Sequence, residues 1–416
     1  MKKNIWIINH YACDTFFDKG GRHYYFAKYL KQLGYNPTVF CGNSVHGEEK
    51  TYFENLSRKR IIKTEPDIGV RYVFIEARPC IGNGKERILN MIDFYKNVKY
   101  VMNDLYQKGE RPDIIYASSV HPLTLVAGIK MAAKFGIKCI CEVRDLWPES
   151  IVEYSARLTK KNPIIKALYA GEKWIYKKAD ALIFTMKGGA DYIEEKKWDK
   201  EIPREKIFHI NNGVDLEQFD NNVSNNTFLD ADFSSEAFKV VYTGSMGQAN
   251  SIGTIVEAAK LLKNEPVLFL LWGKGPEKEK IERIIRENNL QNVRLKGFVN
   301  KQKVPSILAQ ADLNIFALEK SPLFRFGLSL NKSFEYAASG KPTLVIGEAK
   351  YDVIEEFRCG KETGSWRPQA VADAIIGYMK MPKSEYEELC GNARNAAKAY
   401  DFKNLTKQLA DIIEAL

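Results

Sequence analysis

The sequence predicts an α/β protein made of two doubly wound, Rossmann-like parallel-sheet domains facing one another across a cleft. Three observations predict it. Short apolar runs alternate with longer amphipathic stretches along the whole chain. The alternation restarts after an Asn-, Ser- and Asp-rich stretch, "DNNVSNNTFLDADFSSEA" at 220–237. Glycines stand between a strand and a helix near the start of each half, at Gly20-Gly21 and at Gly244.

In the first half, "NIWIINH" (4–10) reads as a buried strand and "GRHYYFAKYLKQLGY" (21–35) as a helix closing near Gly34. "NPTVFCG" (36–42) and "VRYVFIEA" (70–77) are strands, and a long helix runs from about Glu86 to Gln107. "PDIIYASS" (112–119), "KCICEV" (138–143), "ADALIFTM" (179–186) and "KIFHINNGVD" (206–215) complete this set. In the second half the strands are "FKVVYTG" (238–244), "PVLFLLWG" (266–273), "NVRLKGFV" (292–299), "ADLNIFAL" (311–318) and "KPTLVIGE" (341–348). Helices are read at 252–264, 277–290 and 405–416. The expected domains are therefore 1–219 and 238–400, joined by a linker at 220–237, with 401–416 a terminal helix placed to return to the first domain.

Composition sets the outer bounds. At roughly 150 residues per domain, 416 residues allow two or three domains. Apolar residues make up 45% and charged residues 27%, which excludes a disordered chain. No apolar run approaches the roughly 18 residues of a spanning helix, and "MKKNIWIINH" is too short for a signal peptide, so a cytoplasmic protein is expected. Lys and Arg number 62 against 52 Asp and Glu, a net charge of +10 that favours anionic partners. The seven cysteines are odd in number and lack metal or redox spacing, so all are read as reduced and mainly structural.

Open α/β sheets bind ligands beyond the carboxyl ends of their strands, so chemistry is sought there. Gly20 and Gly21 let a backbone approach a phosphate at a helix start, where free N–H groups point outward; a plain turn explains them equally well. "YTGSMG" (242–247) repeats that logic without the dinucleotide spacing, and no P-loop motif is present. The richest stretch is "LFRFGLSLNKSFEYAASGKPTLV" (323–345). Lys332 and Glu335 share one face of a helix near its start. An ammonium beside helix N–H groups suits a diphosphate, and a carboxylate one turn on suits ribose hydroxyls. The competing reading is an ordinary surface ion pair.

Stretches including "EVRDLWPES", "EKWIYKKADALIFTM", "INNGVDLEQF", "VVYTGSMGQANSIGTIVEAAKLL" and "FGLSLNKSFEYAASGKPTLV" carry a resemblance. The chain resembles retaining glycosyltransferases of family four with the GT-B fold. More narrowly it is similar to bacterial WbuB-type enzymes, which add N-acetylated amino sugars in O-antigen and capsule assembly. The resemblance implies a nucleotide-sugar donor, UDP-linked, held mainly by the C-terminal domain. It implies a lipid-linked saccharide acceptor on the N-terminal domain, in polysaccharide biosynthesis, with no metal and no cofactor. Glu335 matches the second glutamate of the family's Glu-x7-Glu motif, while Gly327 stands in place of the first. The Arg and Lys that many members place on the donor phosphates correspond to Ser245 and Asn250. The diphosphate is then expected to meet Lys332, Arg325 and the turns at Gly20-Gly21, Gly244-Ser245 and Leu328-Ser329.

His121 in "SSVHPL" matches a loop histidine of relatives that bonds the donor sugar, against an ordinary capping role. Asp145 in "EVRDLWP" is placed to orient an acceptor hydroxyl, against capping or pairing with Arg144. His23 reads as structural, and His10 fits either role. The basic, aromatic stretch 157–180 fits a peripheral contact with an anionic membrane, the inner face of the cell membrane in this reading, against a helix with solvated lysines. No nucleic-acid module is recognised. Two competitors remain: a nucleotide-sugar epimerase on the same fold, and a catalytically weak sugar-nucleotide-binding or scaffold protein.

Overall fold

The computed structural model describes residues 3–45, 47–82, 84–155 and 158–416. It divides into two compact units, Met1–Asn211 with Phe402–Leu416, and Asn212–Asp401. Each unit is one sheet with helices on both faces.

The first unit holds β1 (Asn4–Ile8), β2 (Asn36–Gly42), β3 (Arg60–Glu65), β4 (Val70–Ile75), β5 (Ile114–Ser118), β6 (Lys138–Val143), β7 (Ala181–Phe184) and β8 (Ile207–His209). Their order is β3-β4-β2-β1-β5-β6-β7-β8. All neighbours are parallel except β3 and β4. The second unit holds β9 (Phe238–Thr243), β10 (Val267–Trp272), β11 (Val293–Gly297), β12 (Leu313–Ala317), β13 (Thr343–Ile346) and β14 (Gly360–Glu362). Their order is β11-β10-β9-β12-β13-β14, all parallel. Strands covered on both faces read as continuous apolar runs. "VLFLLW" of β10 and "IIYAS" of β5 are accordingly buried throughout.

The strand orders reverse between β1 and β5 in the first sheet and between β9 and β12 in the second. Loops leaving adjacent strands in opposite directions open a crevice at such switch points. His10 and His121 follow β1 and β5, while Gly244 and Ser245 follow β9.

Three features differ from the sequence expectation. β3 forms an antiparallel hairpin with β4 at the sheet edge; its "RIIKTE" has exposed positions on both faces, so neither apolar continuity nor clean alternation marks it. β14 has three residues, too few for a periodic signal. The stretch 220–237, read as a linker, is built into the second unit. Asp220–Asn225 completes a helix, Leu216–Asn225, whose start is capped by Asp215. The Phe228 amide donates to the Ser306 hydroxyl at 3.0 Å, and Lys296 donates to the Asp230 carboxylate at 2.8 Å. Asp215 and Asp230 serve as caps here, which is why a polar composition belongs to ordered backbone.

The terminal helix Phe402–Ala415 belongs to the first unit: Phe402 stacks on Tyr25 with ring centres 4.8 Å apart, and the Lys3 ammonium donates to the Ile413 carbonyl at 2.5 Å. All seven cysteines are free thiols, and Cys139 and Cys141 share one strand face with sulfurs 3.9 Å apart. Among the described residues no helix is long and apolar enough to cross a membrane.

Candidate active site

In the second unit the structure gathers groups from three segments around Lys332. The helix Asn331–Ala338 starts without a side-chain cap and without an acidic residue in its first turn, so its positive end is unopposed. Lys332, on that first turn, is half-buried. Its ammonium donates to the Asn250 side-chain carbonyl at 2.6 Å and to the Tyr242 hydroxyl at 3.0 Å, and lies 4.6 Å from the Tyr242 ring centre. Tyr242 in turn donates to the Ser245 carbonyl at 2.7 Å. Gly244 makes room for this: a Cβ there would stand 2.6 Å from Lys332 Cε and 2.9 Å from the Tyr242 oxygen. Burial pulls the Lys332 pKa down to about 8, with the nearby Glu335 carboxylate opposing the shift.

The Glu335 carboxylate, one turn further on, makes no hydrogen bond and no ion pair among the described residues. Burial raises its pKa, opposed by Lys301 and Lys332. The Ser329 hydroxyl, just before the helix, is buried without a hydrogen-bond partner among the described residues, while the Ser329 carbonyl accepts from Asn212 at 2.9 Å. A desolvated ammonium, an unopposed helix start, an unsatisfied hydroxyl and an unpartnered carboxylate together fit a ligand with an anionic group and adjacent hydroxyls.

Two predicted residues also have contacts within the protein. Leu328 is buried in the hydrophobic core, so only its backbone can meet a ligand. The Arg325 guanidinium bonds the Pro322 carbonyl at 2.6 Å and lies 4.3 Å from the Phe326 ring centre, within its own turn. Ser245 is exposed. Tyr242 and Asn250 are the residues that sequence reasoning gave no positive role; Tyr242 looks like any strand aromatic in "FKVVYTG".

In the first unit, His121 stands at the start of the helix Pro122–Phe135 and is buried. Its Nε2 lies 2.9 Å from His10 Nδ1, so the facing nitrogens share one proton. His121 Nδ1 is buried without a hydrogen-bond partner among the described residues. Burial, reinforced by Arg87, lowers the His121 pKa to about 3, which keeps the ring neutral. His10 stacks on Phe94 with ring centres 4.1 Å apart, fixing the pair. His23 is buried and held neutral, its pKa lowered to about 3 by burial and Arg144.

Gly20 and Gly21 precede the helix Arg22–Gln32. Gly21 has φ 94°, where a Cβ is strained. Arg22 anchors this turn from inside: its guanidinium pairs with Glu142 at 2.6 Å and donates to the Ile210 carbonyl at 2.8 Å. Burial alone would raise the Glu142 pKa, but Arg22 brings it down to about 2. Asp145 is open to solvent at the mouth of a small recess, yet enclosed enough that burial raises its pKa against Arg144 and Arg87. It makes no hydrogen bond or ion pair among the described residues, although Arg144 acts on its charge.

Two domain profiles match the chain: "Glycosyltransferase Family 4" over residues 22–218 and "Glycosyl transferases group 1" over residues 237–380. The chain is a glycosyltransferase. Among relatives, this glycosyltransferase is 24% identical over 279 residues to the "Probable glycosyltransferase WbjE" of Pseudomonas aeruginosa, covering 65% of this chain and 67% of that one. It is 25% identical over 76 residues to WcaI of Escherichia coli (strain K12), a glycosyl transferase named for colanic acid biosynthesis, covering 18% of this chain and 19% of that one. Among solved structures, sucrose-phosphate synthase (tll1590) from Thermosynechococcus elongatus superposes with a TM-score of 0.71 at 17% identity, covering 100% of this chain and 99% of that one. Anabaena Alr3699/HepE in complex with UDP and glucose does so with 0.64 at 14% identity, covering 100% of both. The fold is that of GT-B glycosyltransferases, two Rossmann-like units.

Proposed function

We propose that this glycosyltransferase moves an N-acetylated amino sugar from a UDP-linked donor to a lipid-linked saccharide, with retention, in O-antigen or capsule assembly of the WbuB type. The observation that carries the donor half is the pairing on one helix of a partly desolvated Lys332 ammonium with an unpartnered Glu335 carboxylate. Lys332 and the helix start take the diphosphate, and Glu335 takes the ribose hydroxyls. The UDP reading is supported by HepE, solved with UDP and glucose. The polysaccharide reading is supported by WcaI, named for colanic acid.

The chemistry needs little from the protein beyond placement and charge stabilisation. The bond from the anomeric carbon to the diphosphate oxygen breaks. The acceptor oxygen bonds that carbon on the same face, and its proton passes to the departing phosphate. Lys332 stabilises the charge left on the diphosphate. Within the first unit, neutral His121 has an unpartnered Nδ1 suited to a sugar hydroxyl, and Asp145 a carboxylate suited to an acceptor hydroxyl.

Peripheral membrane contact belongs to this proposal. The structure redistributes the charge of 157–180: Lys173 and Lys177 both pair with Glu201, and Lys160 pairs with Glu149 at 2.6 Å. Lys161, Lys166 and Lys178 are exposed and make no ion pair among the described residues; Arg157 lies outside them.

A donor screen by saturation-transfer NMR tests the reading. Strong transfer to the ribose and sugar protons of a UDP-N-acetylhexosamine is expected. A lack of transfer from every nucleotide sugar overturns it.

A further inference from the structure

Arg144 stands at the carboxyl end of β6 with a guanidinium that no protein group holds. Its backbone is fixed: the N–H donates to the Ser119 hydroxyl at 3.0 Å, and the carbonyl accepts from the Thr185 hydroxyl at 3.4 Å. The side chain is half-buried, yet it makes no hydrogen bond and no ion pair among the described residues. A partly desolvated guanidinium has five N–H donors to satisfy. Two carboxylates act on the same surroundings, and neither pairs with it. Asp145 is open to solvent. Glu142 is already engaged, accepting from Arg22 at 2.6 Å, from Ser118 at 2.7 Å and from Tyr116.

The helix Arg22–Gln32 starts at this same end of the sheet, tied to β6 by the Arg22–Glu142 pair. It begins at Gly21 with no side-chain cap and no acidic residue in its first turn, so its positive end is unopposed. His23, in that turn, is 2% exposed, and its Nε2 is buried without a hydrogen-bond partner among the described residues. Burial lowers the His23 pKa; Arg144 adds to the lowering and Glu142 opposes it, which places the ring beside the end of β6. An unheld guanidinium, an unsatisfied ring nitrogen and an uncapped helix start therefore meet in one region of the first unit. All three favour an anion. A carboxylate has two oxygens in one plane, and the Arg144 fork alone would occupy both. A phosphate leaves a third oxygen for the ring N–H and the helix start.

We propose that Arg144 and His23, with the helix start at Gly21, form a phosphate-binding centre of the first unit that takes one phosphate of a diphosphate ester. The inference rests on the function proposed above, which brings diphosphate esters to the protein. A nucleotide sugar and a diphosphate-linked lipid share this chemistry, and the test separates them. Arg144 grips the phosphate bidentately, and the neutral His23 ring donates from Nε2. Arg22 and Glu142 hold the helix start against β6 and touch no ligand.

The test reads the centre through its own histidine. The full chain carrying Lys332→Ala, which removes the ammonium of the second unit, is labelled with nitrogen-15 in its five histidines. Inorganic diphosphate is titrated in, and the His23 ring signal, assigned by its absence from His23→Gln, is followed by NMR. The signal is expected to shift saturably. Adding Arg144→Gln should raise the midpoint roughly tenfold or more, the loss of a charge-assisted contact. Arg144→Lys keeps the charge without the fork and should raise it by less, about threefold; this variant decides the matter if Arg144→Gln does not fold. A His23 signal that does not move, that moves alike with and without Arg144, or that sulfate shifts at the same concentration overturns the proposal. UDP and farnesyl diphosphate are then compared with uridine and farnesol. A lower midpoint for UDP assigns the centre to the nucleotide, and a lower one for farnesyl diphosphate assigns it to the lipid. A shift by uridine or farnesol equal to that of its diphosphate overturns it. Absence of UDP binding by the unaltered chain would strike the donor reading and leave the inorganic diphosphate titration to judge this centre.

Discussion

The Lys332 ammonium lies 2.6 Å from the side-chain carbonyl of Asn250, 82 positions earlier in the chain. The family resemblance leads one to look for a lysine at position 250. The structure instead brings a lysine to Asn250 from the helix Asn331–Ala338, across Gly244. Asn250 and Tyr242 thus hold the ammonium in place, and the charge sits on Lys332.

Lys332→Ala is expected to weaken UDP binding by about 1.5–3 kcal/mol, the range for a hydrogen bond to a charged group, and to leave uridine almost unaffected. The pH dependence has a definite sign. Lys332 loses its proton as pH rises through about 8 in the free protein, so UDP affinity should fall above that pH. Calorimetry of both ligands from pH 6.5 to 9.5 checks this. Equal losses for UDP and uridine would reduce Lys332 to a support for the helix.

Glu335→Gln should cost nucleotide binding about 1.5–3 kcal/mol through the ribose hydroxyls. The 2′,3′-dideoxy nucleotide should bind wild type and variant alike. A folded variant with unchanged UDP affinity removes Glu335 from the site.

His121 is neutral throughout the working range, its pKa lowered to about 3 by burial. The pH–rate profile should therefore show no step near the ordinary histidine value that His121→Ala abolishes. The same variant should lower kcat/KM by roughly tenfold, one neutral hydrogen bond. A step near pH 6.5 present in wild type and absent in His121→Ala would contradict a neutral ring.

Glu172 links pH to stability. Its folded pKa, about 8, stands above the unfolded carboxyl value. Stability is then full at low pH and declines as pH rises from the unfolded pKa toward 8, because the unfolded chain ionises first. Glu172→Gln removes this loss and should be more stable than wild type by roughly 2–4 kcal/mol at pH 8.5, with little difference at pH 4. Urea unfolding at both pH values measures it.

Lys161, Lys166 and Lys178 changed together to Gln should weaken co-sedimentation with anionic vesicles, at about 1 kcal/mol per lysine near the surface. The attraction should fade with salt. Changing Lys173 and Lys177 should matter less, since both already face Glu201. Salt-independent binding would argue against an electrostatic anchor.

The buried parallel strands were the most legible part of the chain. "PVLFLLWG" holds the whole of β10, Val267–Trp272, because a strand covered on both faces leaves an uninterrupted apolar signature. β3 and β14 were hidden for the opposite reason: one is exposed on the edge and the other is three residues long. At the site, the spacing of Lys332 and Glu335 was readable because it is local to one helix. Neither the Asn250 partner nor the Arg22–Glu142 pair was readable, because each joins residues far apart in sequence. His121 stood out through its loop; its contact with His10 depends on strand order, which periodicity does not encode.

The most direct test of the central claim is product analysis with the purified chain, radiolabelled UDP-N-acetylhexosamine and a bacterial membrane lipid extract. Label is expected to enter the lipid fraction in an α-linked, retained configuration with release of UDP, and Lys332→Ala and Glu335→Gln are expected to reduce the transfer at least tenfold at subsaturating donor. Label recovered only as an altered free sugar nucleotide, or binding with no turnover in any extract, would contradict it.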